Sequence, residues 1–303
     1  MSKDNIVWAI DAFSEDTTQM KTGALLKAFN SGVSSPIEPV SVLSPYHFRL
    51  PIPAFKERQG EFQNQAETRI HKWAKKLKLH GLSKPSFVMC DEYSQRKSVT
   101  TLLDYAKEKN AGLIALNTHA RKGLNRMMLG SFAETLMLQS SIPLLIVNPK
   151  TKVPTKIKTI FFPTDLSAAS HQGFRAILPI AKRLKAQIIF YHKVEYVIPE
   201  TYSMVYQTAA YAKYLDEDVK VRRKQAETWA KQATVAGVKA TLVFDQSPNF
   251  VTQAILKSAS KHKADLITIV STSGTASTTL LGSITRQVVR EAKVPVWALH
   301  VMH

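Results

Sequence analysis

Short runs of consecutive apolar residues alternate along this chain with longer stretches whose apolar positions recur every three to four residues. A continuous apolar run predicts a strand buried on both faces, and the helical recurrence predicts an amphipathic helix. The strands predicted are 6–10, 40–43, 87–90, 113–116 and 144–147, then 159–164, 188–191, 240–244, 266–270 and 295–299. Helices are predicted over 17–29, 61–79, 99–109, 132–139, 170–184, 216–236, 249–262 and 283–292. In 170–184, for example, Phe174, Ile177, Leu178 and Ala181 share one face, and Gly237 is placed to end the helix over 216–236. Buried strands alternating with helices require a parallel sheet covered on both sides, so the predicted class is α/β. Segments 44–62 and 197–214 receive no element in this pattern and are read as lids or dimer surfaces.

The pattern occurs twice. Trp8-Ala9-Ile10-Asp11 matches Phe162-Pro163-Thr164-Asp165, and Trp73-Ala74-Lys75 before Gly81 matches Trp229-Ala230-Lys231 before Gly237. Leu129-Gly130-Ser131 matches Leu281-Gly282-Ser283, and Pro143 to Val147 matches Pro295 to Leu299. Four landmarks in one order, at offsets differing only by loop-sized amounts, mark an internal duplication. The expected plan is a domain over 1–148, a linker over 149–156 carrying Pro149 and Pro154, and a second domain over 157–303. Each domain is expected to be doubly wound α/β, with a five-stranded parallel sheet and helices on both faces.

Composition narrows the function classes. The 303 residues hold one cysteine, Cys90, which excludes an intrachain disulfide and cysteine-rich metal sites. No apolar run is long enough to cross a bilayer and no secretory pattern opens the chain, so a cytoplasmic protein without membrane insertion is expected. A formal net charge of +18 favours anionic partners. The basic residues are nevertheless spread over helix faces, as at Lys72, Lys75, Lys76 and Lys78, and no aromatic-basic recognition motif occurs, so nucleic acid is not the expected partner.

In a doubly wound sheet, ligands gather at the carboxyl ends of the strands. The candidates are therefore Asp11 and Asp165 after the first strand of each copy, and the loops 117–131 and 271–283 after the fourth. Gly130 and Ser131 precede Glu134 in a capping-box pattern, and such a helix start can hold a phosphate on its free N–H groups. The same dipeptide also simply starts a helix, and both readings stand. The second copy keeps Gly282 and Ser283 but has Arg286 where the box wants an acid. Asp11 and Asp165 could contact a ribose or a cation, or could cap the turn that follows them.

Phe162-Pro163-Thr164-Asp165-Leu166-Ser167-Ala168-Ala169-Ser170 resembles the opening motif of the universal stress protein family. The stretches from Leu113 through Gly130-Ser131 to Val147, and from Leu266 through Gly282-Ser283 to Val296, resemble its closing half. The resemblance spans essentially the whole chain, twice. It implies Rossmann-like, adenine-nucleotide alpha-hydrolase-like domains, a stress-linked role, ATP or AMP as ligand in some members, with Mg accompanying ATP, and pairing of the two halves through their last strands as a pseudo-dimer. The nucleotide loop of binding members reads Gly, two residues, Gly, nine residues, then Gly-Ser or Gly-Thr. The first copy matches in length but has Asn117 and Ala120 at the two early glycine positions, with Arg121 and Lys122 as basic neighbours. The second has Ser271, Gly274 and Gly282, two residues short and without a basic side chain. The adenine-facing position on strand two is Val42 in the first copy and Lys193 in the second. The first half is the expected nucleotide cleft.

Enzyme signatures are missing. There is no Walker motif, nucleophile elbow or zinc-protease helix, and His119 in the first loop is read as a hydrogen-bonding loop histidine. Cys90 is read as a small buried apolar residue. The expected function is a stress-type binding and regulatory protein that is not an enzyme, slow hydrolysis of bound nucleotide being the one catalytic alternative. The rivals are a nucleotide-independent scaffold for a protein partner and a basic binder of nucleic acid or an anionic surface.

Overall fold

The computed structural model describes residues 5–31, 33–79, 81–118, 131–194, 209–272 and 282–301. The first half contributes strands β1 (Asn5–Ala9), β2 (Ile37–Leu43), β3 (Ser86–Met89), β4 (Ala111–Asn117) and β5 (Leu144–Val147). The second contributes β6 (Thr159–Pro163), β7 (Gln187–Lys193), β8 (Ala240–Asp245), β9 (Leu266–Thr272) and β10 (Val296–Val301). They form one continuous sheet in the order β3-β2-β1-β4-β5-β10-β9-β6-β7-β8. Pairing is parallel within each half, and the order reverses between β1 and β4 and again between β6 and β9. Each reversal opens a crevice at the strand ends.

The halves join where β5 and β10 pair antiparallel, with Ile146, Leu145 and Leu144 opposite Val296, Trp297 and Ala298. Leu145 and Trp297 are counterparts in the duplication, so the local two-fold axis passes through their rung. Trp297 is 5% exposed and meets Phe29 edge-on at 5.5 Å. This seam closes two sheet edges that would otherwise template aggregation.

Nine helices lie among the described residues. Helices α1 (Asp16–Asn30), α3 (Ile52–Leu77), α6 (Ala168–Leu184) and α7 (Ala209–Val235) cover one face of the sheet, burying Leu25, Ile70, Trp73, Phe174 and Trp229 in a single core. The opposite face is covered by α4 (Gln95–Glu108), α5 (Ser131–Gln139), α8 (Val251–Lys261) and α9 (Ser283–Glu291), over Val99, Leu102, Leu136, Ile255 and Val288. A short α2 (Pro45–Phe48) stands at the end of β2. Neighbouring strand residues such as Val7 and Trp8 fall in opposite cores, as the pleat demands.

Two segments depart from expectation. Residues 45–62 are not a separate lid but α2 and the opening turns of α3, which starts at Ile52 rather than 61. Phe55 and Phe62 extend the apolar stripe of Ala66, Ile70, Trp73 and Leu77 backwards, and Pro51 and Pro53 at the start are compatible with a helix N-terminus. Most of the second unassigned segment, 195–208, lies outside the described residues, and α7 starts at Ala209 instead of 216.

The layers pack closely at two glycines. A Cβ on Gly173 would overlap Val270 Cγ2, whereas one on Gly23 would overlap Leu77 Cδ1 and come within 3.1 Å of Trp8. Val270 is β-branched and held in the sheet, but Leu77 ends a helix and can change rotamer. Both alanines regain helix propensity, so the neighbour decides: Gly173→Ala should destabilise by about 1–3 kcal/mol, and Gly23→Ala by distinctly less, since Leu77 can yield. Urea midpoints of the two variants check this, and equal losses would refute it.

Candidate functional site

The first crevice is a cleft of about 470 Å³ at the carboxyl ends of β1, β2 and β4, within the roughly 300–1,000 Å³ typical of small-molecule sites. Its floor is apolar, with Ile10, Val40, Val42, Leu102 and Leu116, and Asp11, Ser41, Ser44 and Asn117 add polar groups. Asp11 accepts a hydrogen bond from the Phe13 backbone N–H at 2.9 Å and has His47 Nε2 3.5 Å away. The carboxylate therefore does set the turn into α1, while one edge still lines the cleft. Asn117 ends β4 and is 6% exposed, yet its Nδ2 has no hydrogen-bond partner. A buried amide donor left without an acceptor costs about 1–3 kcal/mol.

The entrance is built by α2. Ser44 caps it by accepting from the His47 N–H at 3.2 Å, and Pro45 presets its first turn. Phe48 anchors it from beneath, stacked on Phe62 at 3.9 Å and edge-on to Phe13 at 4.8 Å. Arg49 then ends it in a left-handed conformation, φ 56°. Tyr46 and His47 are thereby held at the rim, where Tyr46 meets Tyr93 of the β3–α4 connection. The sequence placed residues 44–49 only within a segment read as a lid or dimer surface, and did not single out Tyr93. The Ser44-Pro45 start signal was there to find α2, but no local pattern brings residue 46 to residue 93.

The second crevice, about 510 Å³, is lined differently. Asp165 accepts from the Ser167 N–H at 2.9 Å and the Ser170 hydroxyl at 2.6 Å. Partial burial pushes its carboxyl up, but these hydrogen bonds outweigh it and hold the group below the usual carboxylate range. Its own carbonyl accepts from Arg222, which also pairs with Asp218 at 2.6 Å. Extending the matched registers of β1–β2 and β6–β7 puts Lys193 at the position of Val42. Its ammonium is spent on the carbonyls of Val194, Asp245 and Ser247 at 3.2, 3.3 and 2.5 Å. His192 is buried and donates from Nδ1–H to the Thr164 carbonyl, 2.9 Å away. Burial pushes its pKa down, with Arg222 adding in the same direction and the Thr164 carbonyl opposing.

The structure thus brings Asp11, Val42 and Asn117 together in the first cleft, and Asp165 and Gly282 in the second. Gly282 precedes α9 as its cap, with Ser283 opening the helix, and Ser131 opens α5. Ala120, Arg121, Gly130 and Gly274 lie outside the described residues, as does His119, and Ser271 falls within β9. Glu134 and Arg286, which occupy the same place in the two copies, face each other at 3.6 Å across the halves. Cys90 is buried. Among the described residues no group of three or more His, Cys, Asp or Glu could hold a metal ion, and Asp11 is the one carboxylate lining the first cleft. A magnesium ion there would fit only as the companion of bound phosphate.

Comparison with known proteins agrees with this architecture. The model of the universal stress protein family matches residues 4–148 and again 156–300. A universal stress protein from Archaeoglobus fulgidus DSM 4304 superposes over the whole molecule, with a TM-score of 0.66 at 16% identity, covering 99% of each chain. A functionally unknown protein from Pseudomonas aeruginosa PAO1 does so with a TM-score of 0.61 at 14% identity, covering 99% of this chain and 93% of its own. At these identities the likeness concerns the fold. No curated protein matches the chain. Among the described residues no helix is long and apolar enough to cross a membrane.

Proposed function

This chain belongs to the universal stress protein family, as two tandem copies, and from that premise we propose that it is a regulatory binding protein whose first cleft takes an adenine nucleotide, AMP or ATP. The observation that supports this most is the unpartnered Asn117 amide, 6% exposed, beside the apolar floor around Val42. A purine supplies flat apolar faces together with ring acceptors, and the ribose hydroxyls can bond Asp11. The second cleft is the poorer candidate, because Lys193 occupies the position where the first cleft offers Val42. On this reading the ligand state of the first cleft is what a protein partner senses, and no bond of the nucleotide need be broken.

Calorimetric titration of the whole chain tests the proposal. One AMP or ATP per chain is expected, with affinity reduced at least about tenfold by Asn117→Leu, the loss of a charge-free hydrogen bond plus the shape change around it. Val42→Lys, which copies the second cleft, should abolish binding. Absence of heat with both nucleotides up to millimolar concentration would overturn the reading and leave a nucleotide-independent scaffold.

A further inference from the structure

We infer that Tyr46 and Tyr93 form an aromatic clamp at the mouth of the first cleft, and that this clamp receives the ring system of the ligand. The inference rests on the nucleotide reading above and specifies which part of the ligand the rim holds. The two rings meet edge-on with centroids 5.5 Å apart, and they are 38% and 55% exposed. Single exposed aromatics need no explanation. Here two of them, from chain segments far apart in sequence, converge on the rim of one cavity.

Tyr46 cannot readily withdraw, because α2 is fixed by the Ser44 cap, the Phe48–Phe62 stack and the left-handed stop at Arg49. Tyr93 follows β3 and Cys90, just before α4 begins at Gln95. Both therefore stand at the β2–β3 side of the crevice, with Val42 behind them and Ser98 and Leu102 of α4 as the other wall. A planar heterocycle entering between this rim and Val42 would gain a stacking face and bury aromatic area that now meets water. The opposite side of the crevice, toward α5, is where anionic groups would point. The described residues of the cleft carry His47 and Arg49 as their basic side chains, and both lie on the aromatic side. The described part of the cleft thus supplies ring recognition.

Stacking of a base on an aromatic side chain is worth about 1–3 kcal/mol, or roughly 5- to 150-fold in affinity. The test titrates the whole chain, as wild type, Tyr93→Ala, Tyr93→Phe and Tyr46→Ala, with AMP, adenosine and inorganic tripolyphosphate. The clamp predicts measurable adenosine binding, a loss of roughly 5- to 150-fold in AMP and adenosine affinity in both alanine variants, near-normal binding by Tyr93→Phe, and any tripolyphosphate binding left unchanged by the alanine substitutions. Since both side chains are solvent-facing, unchanged thermal melts of the variants will separate a binding loss from misfolding. If AMP binds but adenosine does not, or if the alanine variants bind AMP as wild type does, the clamp is overturned while the nucleotide reading survives. If neither AMP nor adenosine binds to wild type, both fall together.

Discussion

Trp297→Ala should destabilise the protein by about 3–5 kcal/mol, the usual cost of emptying a large buried aromatic site. Trp297 is 5% exposed on the rung that carries the local two-fold axis, opposite Leu145 and against Phe29 of the other half. The cavity would open where the halves meet, so the expected result is a lower first urea midpoint and a split into two transitions, followed by circular dichroism. Trp297→Phe should cost far less, because the indole N–H has no hydrogen-bond partner to lose. If the alanine variant unfolds at the wild-type midpoint, the seam is not what couples the halves.

Acidification should have the next largest effect. His300 stands on β10 at the place that Asn148 holds after β5, but the two residues are used differently. Asn148 donates to the carbonyls of Val289 and Ala292 at 2.7 and 2.8 Å, tying the end of the first half to α9. His300 has both ring nitrogens buried and unpartnered, and burial pushes its pKa down to about 4. The unfolded chain takes up a proton below about pH 6.5 that the folded chain refuses until about pH 4. Stability is therefore complete above pH 6.5 and declines as pH falls toward 4, by up to about 3 kcal/mol from this residue. His192, also lowered, adds loss of the same sign. Urea midpoints at several values between pH 7 and 4 should show the decline, and His300→Asn should remove close to one proton from it. An unchanged slope in that variant would refute the assignment.

Much of this fold was legible beforehand, for a physical reason. Buried parallel strands such as Leu144–Val147 and Thr159–Pro163 must be continuously apolar, and the duplication confirmed each element against its copy. Asp11 and Asn117 were legible as cleft residues because strand ends in such a sheet are ligand positions whatever the sequence around them, whereas Val42 came from the family resemblance. The start of α3 was missed because Pro51 and Pro53 read as loop, although Phe55 and Phe62 continue the helical stripe. The aromatic rim was missed because it exists only once β2 and β3 lie side by side, which brings Tyr46 to Tyr93. Likewise, the loss of the capping acid at Arg286 looked like decay of a motif. In the folded chain that arginine faces Glu134.

That exchange of charge has a consequence for how the two copies have come to differ. Residues near a two-fold axis meet their own equivalents, so two first halves would set Glu134 against Glu134, and two second halves would set Arg286 against Arg286. Joined in one chain, the halves instead meet as acid and base at 3.6 Å, and as leucine and tryptophan on the axial rung. The exposed ion pair is worth no more than about 1 kcal/mol, but it always favours the unlike pair over either like pair. A short connection between Val147 and Thr159 also keeps each half at an effective concentration near millimolar for the other. Dilution thus cannot exchange partners, and every molecule contains one of each cleft. A sequence change in the second crevice is never copied into the first, so the two linings can diverge independently, as Val42 and Lys193 already do.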